Sequence, residues 1–193
     1  MQNTAFGLNQ YLLRRKVFTI AGAKFHIFDT ANNLVFFSKM KAFKLREDIR
    51  LFRDESMSEE LLLIKARQII DFSAAYDVLD SKTGEKIGVY KRQGLKSILR
   101  DEWLIMDAGD REIGVVREDS LFKALLRRFL TNLIPQTYHV EIQGTTVCVY
   151  KQNFNPFVLK LTIDFPSDTR LLFDRRLGLA GAILLGAIEG RQN

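Results

Sequence analysis

The feature that most constrains this chain is a β-hairpin pattern that occurs four times along the sequence. Each copy opens with an aromatic residue, runs as an apolar strand, crosses a polar turn and re-enters a second strand about ten residues later. Because a single hairpin cannot bury its apolar face alone, the copies have to pack against one another. Short strands at this spacing predict a mainly β fold, either a sandwich or a barrel. The copies are 25–29 with 34–37, 76–80 with 87–91, 103–107 with 113–117, and 138–142 with 147–151.

The rest of the chain adds strands to these hairpins without introducing a linker. No Pro-rich or Gly/Ser-rich segment divides the 193 residues, so we predict a single domain over residues 1–193. Residues 54–60 are polar and acidic, which is typical of a turn, and residues 69–75 are compatible with either a strand or a bend. Further strands are predicted at 11–20, 39–52 and 61–65.

The C-terminal segment is apolar on every side. Residues 177–188 contain no charged or polar side chain, and as a helix they would cover roughly 18 Å, well short of the ~30 Å hydrocarbon core of a bilayer. A helix that is apolar all round has to be buried all round. Each glycine of this segment costs about 1 kcal/mol of helix stability relative to alanine. Surrounding walls that approach the helix closely would explain why glycine is present. We therefore predict a helix over about residues 168–189 inside a closed sheet, with a membrane tail anchor as the alternative.

A second helix is predicted between the third and fourth hairpins. Ser120 is a candidate N-cap, and leucine or phenylalanine recurs every four residues through 121–133. Arg127 and Arg128 lie off this apolar stripe. The segment 121–133 is therefore predicted to be an amphipathic helix, whose basic side either lies in water or meets anionic lipid.

The charge and the single cysteine exclude several classes of protein. A net charge of +6 and a pI near 9.5 favour anionic partners: nucleic acid, an anionic membrane surface or acidic metabolites. With Cys148 alone, an intramolecular disulfide and a multi-cysteine zinc site are both excluded. Cys148 occupies the position that Gly88 and Gly114 hold in the two middle hairpins, which predicts a small buried or half-buried residue and not a nucleophile. The basic cluster 14–16 follows the apolar N-terminal residues, the reverse of a secretory signal, so we expect a cytoplasmic protein.

Residues for catalysis or metal binding do not form a recognisable set. His26 and His139 occupy equivalent positions in two hairpins, which gives no reason for their rings to converge. Aspartates follow apolar strand segments, where aspartate commonly starts a turn. Neither a phosphate-binding glycine loop nor a nucleophile elbow is present. We predict that the protein is not an enzyme and uses no metal and no cofactor. The aspartates are Asp29, Asp80, Asp107 and Asp164.

Basic residues cluster in two places. One cluster, at 91–100, lies between the second and third hairpins; in the other, Lys39 and Lys41 share one face of a strand, while Lys44 and Arg46 share the opposite face. Such lysines can protect a sheet edge from aggregation. Together with the phenylalanines at 37, 43 and 52 they can also bind single-stranded nucleic acid, although acidic residues interrupt this region.

The chain is similar to a known barrel fold. Five segments, at 11–20, 25–29, 76–89, 103–107 and 174–180, together resemble the tubby C-terminal fold of the LURP-one-related proteins and the phospholipid scramblases. The resemblance implies a closed antiparallel barrel of about twelve strands around a hydrophobic C-terminal helix. It also implies non-enzymatic roles: phosphoinositide binding in the tubby branch, and lipid scrambling or membrane anchoring in the scramblase branch.

These observations favour a non-enzymatic binding or regulatory domain that associates weakly with anionic phospholipid headgroups. Lys91 and Arg92, which end a hairpin strand, and Arg127 and Arg128, on the amphipathic helix, are the candidate headgroup contacts. The protein would be cytoplasmic or peripheral at the membrane, with no transmembrane segment. The alternative is a protein-interaction or regulatory module with no lipid role. Nucleic-acid binding and an unrecognised enzyme are less favoured.

Overall fold

A computed structural model of the chain describes residues 4–16, 22–41, 48–67, 74–92, 102–119, 136–153, 158–166 and 172–188. Within these residues, twelve antiparallel strands form a closed barrel around one α-helix, which confirms the predicted fold class. The strands are β1 (Gln10–Lys16), β2 (Gly22–Phe28), β3 (Leu34–Lys41), β4 (Ile49–Phe52), β5 (Glu60–Ala66), β6 (Ala75–Asp80), β7 (Lys86–Arg92), β8 (Glu102–Met106), β9 (Glu112–Glu118), β10 (Thr137–Ile142), β11 (Thr145–Asn153) and β12 (Val158–Asp164). The helix is α1 (Arg175–Ile188), and a 3₁₀ helix, Thr4–Gly7, precedes β1.

Each strand pairs with its neighbours in sequence, and β1 pairs with β12 to close the barrel. The four predicted hairpins are confirmed as β2–β3, β6–β7, β8–β9 and β10–β11. Every described strand therefore has a partner on both sides. The interpretation of Lys39 as edge protection is wrong, because β3 is paired with both β2 and β4 at that residue.

Aspartates begin three of the hairpin turns, as predicted. Asp29, Asp80 and Asp107 each accept a backbone N–H of their own turn through a carboxylate oxygen, at 2.8, 2.9 and 2.8 Å. Asp164 instead ends β12, where it lies opposite Gln10 of β1. The side-chain amide of Asn33 lowers the pKa of Asp29 below its ordinary value, and backbone N–H donation from Arg111 does the same for Asp107.

These turn carboxylates should make the fold sensitive to acid. Because the folded pKa values of Asp29 and Asp107 lie below the ordinary 3.8, their contribution to stability is present above that pH and is lost as the pH falls through the lowered values. We expect the urea midpoint to fall between about pH 5 and pH 2, and Asp107→Asn to remove part of that fall. A midpoint difference between the two proteins that does not change with pH would contradict this assignment.

The helix α1 fills the barrel. Every residue from Leu177 to Ala187 is buried, which confirms the predicted interior helix. Its start differs from the prediction: Leu172, Phe173 and Asp174 are not helical. Asp174 acts as the N-cap, since its carboxylate accepts the Arg176 N–H at 2.8 Å and its carbonyl accepts the Gly178 N–H at 3.0 Å. Residues 167–171 lie outside the described residues.

Polar side chains of the barrel wall hold α1 along its length. The Tyr90 hydroxyl donates to the Leu177 carbonyl at 2.9 Å, and the Tyr150 hydroxyl donates to the Gly178 carbonyl at 2.8 Å. Burial raises the pKa of both tyrosines, so each remains a neutral donor. Near the other end of the helix, Arg15 Nη1 donates to the Gly186 carbonyl at 3.1 Å, where a cation complements the helix dipole.

The direction of α1 distinguishes the two ends of the barrel. Its first residue, Arg175, bonds Asn9 just before β1, whereas Gly186 lies near Leu159 at the start of β12. Among the described strands, β7 ends and β8 begins at the end of the barrel where α1 terminates. At the same end, β9 ends and β10 begins.

The predicted helix at 121–133, with its candidate residues, falls between β9 and β10 in the sequence and lies outside the described residues. No helix of the described part of the chain is long and apolar enough to cross a bilayer.

Candidate anion-binding surface

The strand pleat separates two of the predicted headgroup contacts. Lys91 is exposed on the outer face of β7, beside Leu104 of β8. Arg92 is only partly exposed and lies opposite the buried Trp103, on the inward face of the same strand. Because consecutive residues of a strand point to opposite faces, these two cations do not form one exposed site. Arg127 and Arg128 lie outside the described residues.

A different set of cations forms a row across the outer face of three strands. Lys24 of β2 lies directly opposite Lys39 of β3, and Lys39 lies directly opposite Arg50 of β4. All three side chains are exposed. We call these three residues the basic row. Like charges that face each other across a sheet destabilise it, so the row reduces stability at this position.

The two lysines of the row have no ion-pair partner among the described residues. Arg50 Nη1 lies 2.5 Å from Glu60 Oε2 and is therefore paired. Within the described part of the chain, neither Lys24 nor Lys39 has a carboxylate at ion-pair distance. As far as the described residues show, the basic row thus presents two exposed, unpaired lysines on neighbouring strands.

Elsewhere on the barrel many cations have acidic partners. Arg117 lies 3.1 Å from both Glu102 and Glu141. Hydrogen bonds from Arg53 and Lys82 lower the pKa of Glu59 to about 2. Further ion pairs join Arg67 to Asp77 and Asp110, and Arg176 to Asp80 and Asp174. Compared with these paired cations, the basic row is a local excess of positive charge.

Comparison with known proteins identifies the family. The family model described as LURP-one-related matches residues 34–172, from the first residue of β3 to beyond the end of β12. The chain belongs to the LURP-one-related family. A search of curated proteins and a search of solved structures each found no match. The family match and the closed twelve-strand barrel together confirm the resemblance to the tubby-like fold.

The histidines of this LURP-one-related protein lie far apart on the barrel wall. His26 Nε2 on β2 is 2.7 Å from Glu55 Oε1, and His139 Nε2 on β10 is 2.8 Å from Asp119 Oδ1. Three strands, β1, β12 and β11, separate β2 from β10. Among the described residues, no three histidine, cysteine or acidic side chains come together as a metal site. Cys148 is fully buried opposite Val140, as its position in the hairpin predicted.

The sequence did not reveal the basic row of this LURP-one-related domain as a unit. Alternation identified Lys39 as one of two lysines on a common strand face, but Lys24 and Arg50 were not predicted contacts. The register of β2 with β3 shifts by one residue between Ile27 and Phe28. Without this shift Lys24 would face the buried Ser38 position, so alternation alone does not place it beside Lys39.

Proposed function

We propose that this LURP-one-related protein is a non-enzymatic binding domain that associates weakly with anionic phospholipid headgroups through its basic row. The observation that supports this proposal is the direct alignment of Lys24, Lys39 and Arg50 on the outer face of β2, β3 and β4. The like charges of the basic row reduce the stability of the sheet. An anionic partner that neutralises these charges would explain why the row is present.

Two physical features favour a surface ligand. The helix α1 occupies the barrel interior, so a ligand has to bind on the outside of the described barrel. A basic residue close to an anionic membrane surface contributes about 1 kcal/mol, so three such residues suffice for weak association only. Such binding weakens with added salt, since exposed charges are screened within about a Debye length.

The candidate acid–base groups already make structural contacts with neighbouring residues, which supports a role without catalysis. Asp29, Asp80 and Asp107 hold turn N–H groups, and His26 and His139 each lie beside a separate carboxylate. A broad activity screen tests this part of the proposal. Turnover that disappears on replacement of Asp80, Asp107 or His139 would make the protein an enzyme.

Co-sedimentation with phosphatidylserine vesicles tests the headgroup interaction. We expect binding at low ionic strength that falls with added salt. The partition coefficient should be at least about 30-fold lower for the Lys24→Glu/Lys39→Glu variant, because two contacts of about 1 kcal/mol are lost and the introduced glutamates are repelled by the anionic surface. The matched control is Lys65→Glu/Lys151→Glu, which changes the net charge equally at two exposed lysines on β5 and β11. This control should bind almost as the unaltered protein does.

Further variants separate the alternatives. Equal losses in the two double variants would indicate a response to net charge and contradict a role of the basic row. A selective loss in Lys91→Glu or in Arg127→Glu/Arg128→Glu would move the headgroup contact to the residues predicted from the sequence. Absence of vesicle binding even at low salt would favour a protein-interaction or regulatory module. Single-stranded DNA is tested in parallel, because nucleic acid also gives salt-dependent binding.

A further inference from the structure

A polar cleft of about 370 Å³ lies on the outside of the barrel. It is bounded by β1, the β2–β3 turn, and the adjoining parts of β11 and β12. Its volume is at the lower end of the range for small-molecule sites. The polar side chains that line it include Gln10, Arg14, Asp29, Asn32, Asn153 and Thr162.

The guanidinium group of Arg14 is held in place at this cleft. Its central carbon lies 4.5 Å from the centre of the Phe28 ring, and its Nη2 donates to Asn32 Oδ1 at 2.7 Å. Asn32 itself adopts a left-handed backbone conformation, with φ of 64°, in the β2–β3 turn. Stacking on one face and a hydrogen bond at one edge fix the orientation of the cation before any ligand binds.

Arg14 retains hydrogen-bonding capacity for an anion. Its hydrogen bond to Asn32 uses one N–H group of Nη2, and among the described residues the other N–H groups of its two terminal nitrogens have no acceptor. Among the described residues that line the cleft, Asp29 is the one carboxylate, and the backbone N–H and side-chain amide of Asn33 donate to it at 2.8 and 2.9 Å. The terminal N–H groups of a guanidinium match the oxygens of a phosphate group.

The other side of the cleft offers neutral polar groups beside a second cation. Asn153 Nδ2 donates to Thr162 Oγ1 at 3.2 Å, which leaves the amide oxygen and the threonine hydroxyl hydrogen to bind a ligand. Lys160 of β12 lies directly opposite both Arg14 and Asn153. The guanidinium of Arg14 suits the phosphate group of a ligand, and the amide and hydroxyl suit ligand hydroxyls.

We propose that this cleft binds a phosphorylated polyol, with the phosphate on Arg14 and the hydroxyls on Asn153 and Thr162. The proposal is independent of headgroup binding by the basic row, because the cleft shares no residue with that row. The same chemistry occurs in soluble sugar phosphates and in polyol headgroups of lipids, so both sources are included in the test.

Calorimetric titration of the full chain with glucose 6-phosphate and with glycerol 3-phosphate tests the soluble source. We expect binding that glucose does not reproduce and that weakens about tenfold or more in Arg14→Gln, since a charge-assisted contact is lost. The Asn153→Leu variant should lose affinity for glucose 6-phosphate while retaining the weaker binding of inorganic phosphate. Far-UV circular dichroism checks that each variant is folded, and Asn153→Leu keeps the proposal testable should Arg14→Gln be unstable.

Two further arms complete the test. Phosphatidylglycerol vesicles present the polyol as a lipid headgroup, and binding to them that depends on Arg14 without any soluble binding would assign the lipid source. The Lys24→Glu/Lys39→Glu variant should bind glucose 6-phosphate normally. The test can therefore contradict ligand binding in the cleft without contradicting headgroup binding by the basic row, and the reverse. The proposal is overturned if neither source binds in an Arg14-dependent way, or if inorganic phosphate binds as tightly as glucose 6-phosphate.

Discussion

Replacing Ala182 with aspartate should prevent this protein from folding. Ala182 is fully buried in α1, at the centre of the barrel. A carboxylate at this position would lie within the buried hydrophobic core of the described residues, at a cost of at least about 4 kcal/mol. Since domains of this size are stable by about 5–15 kcal/mol, this cost is large enough to unfold the chain or to leave it aggregated.

The measurement is soluble expression followed by urea denaturation. Ala108→Asp is the matched control, because Ala108 is exposed in the β8–β9 turn and receives the same substitution. We expect the control to fold with nearly unchanged stability. Deletion of residues 171–193 tests the same point independently: a soluble and stable protein without α1 would show that the barrel does not need its interior helix.

The Gly181→Ala substitution is expected to destabilise the fold by about 1–3 kcal/mol, although alanine is the better helix former. A Cβ atom at this position would lie 2.4 Å from the Tyr90 hydroxyl oxygen and 2.8 Å from that of Tyr150. Both hydroxyls are fixed by their hydrogen bonds to the carbonyls of Leu177 and Gly178. The barrel wall therefore has to move, and those hydrogen bonds are strained or lost.

A second helix glycine provides the control for this prediction. At Gly186 the nearest atom to an added Cβ is Phe25 Cε1, at 3.1 Å, and the next contacts are ordinary. Gly186→Ala should therefore cost much less than Gly181→Ala in urea denaturation, because the gain in helix propensity offsets a small displacement. In a Tyr90→Phe/Tyr150→Phe background, Gly181→Ala should cost less than in the unaltered protein. Equal costs in the two backgrounds would show that the hydroxyls do not limit the space at Gly181.

Much of the fold was predictable because its signals are local. Alternation of apolar and polar residues in each hairpin identifies the strands, and the turn aspartates act within a few residues of their own position. The interior helix was predictable for a different reason: an apolar run that is too short to cross a bilayer has to be covered by protein. Its start was not, because the prediction began the helix near residue 168, whereas the structure shows Asp174 as the N-cap.

The candidate sites depended on contacts between strands. Lys91 and Arg92 are adjacent in sequence, yet the pleat places Lys91 on the outer face and Arg92 on the inner one. The one-residue register shift near the β2–β3 turn brings Lys24 opposite Lys39. The cleft joins Arg14 to residues more than a hundred positions later, because β1 closes the barrel against β12.

The sequence by itself determined that this chain has repeated hairpins, polar turns begun by aspartate and an apolar helix that needs a surrounding wall. These properties follow from the chemistry of neighbouring residues and from the period of two in a strand. Only the tertiary structure decided which cations face each other and which arginine lines a cleft. Register, bulges and barrel closure are set by the packing of the whole chain, so residues distant in sequence acquire a common surface only when the barrel closes.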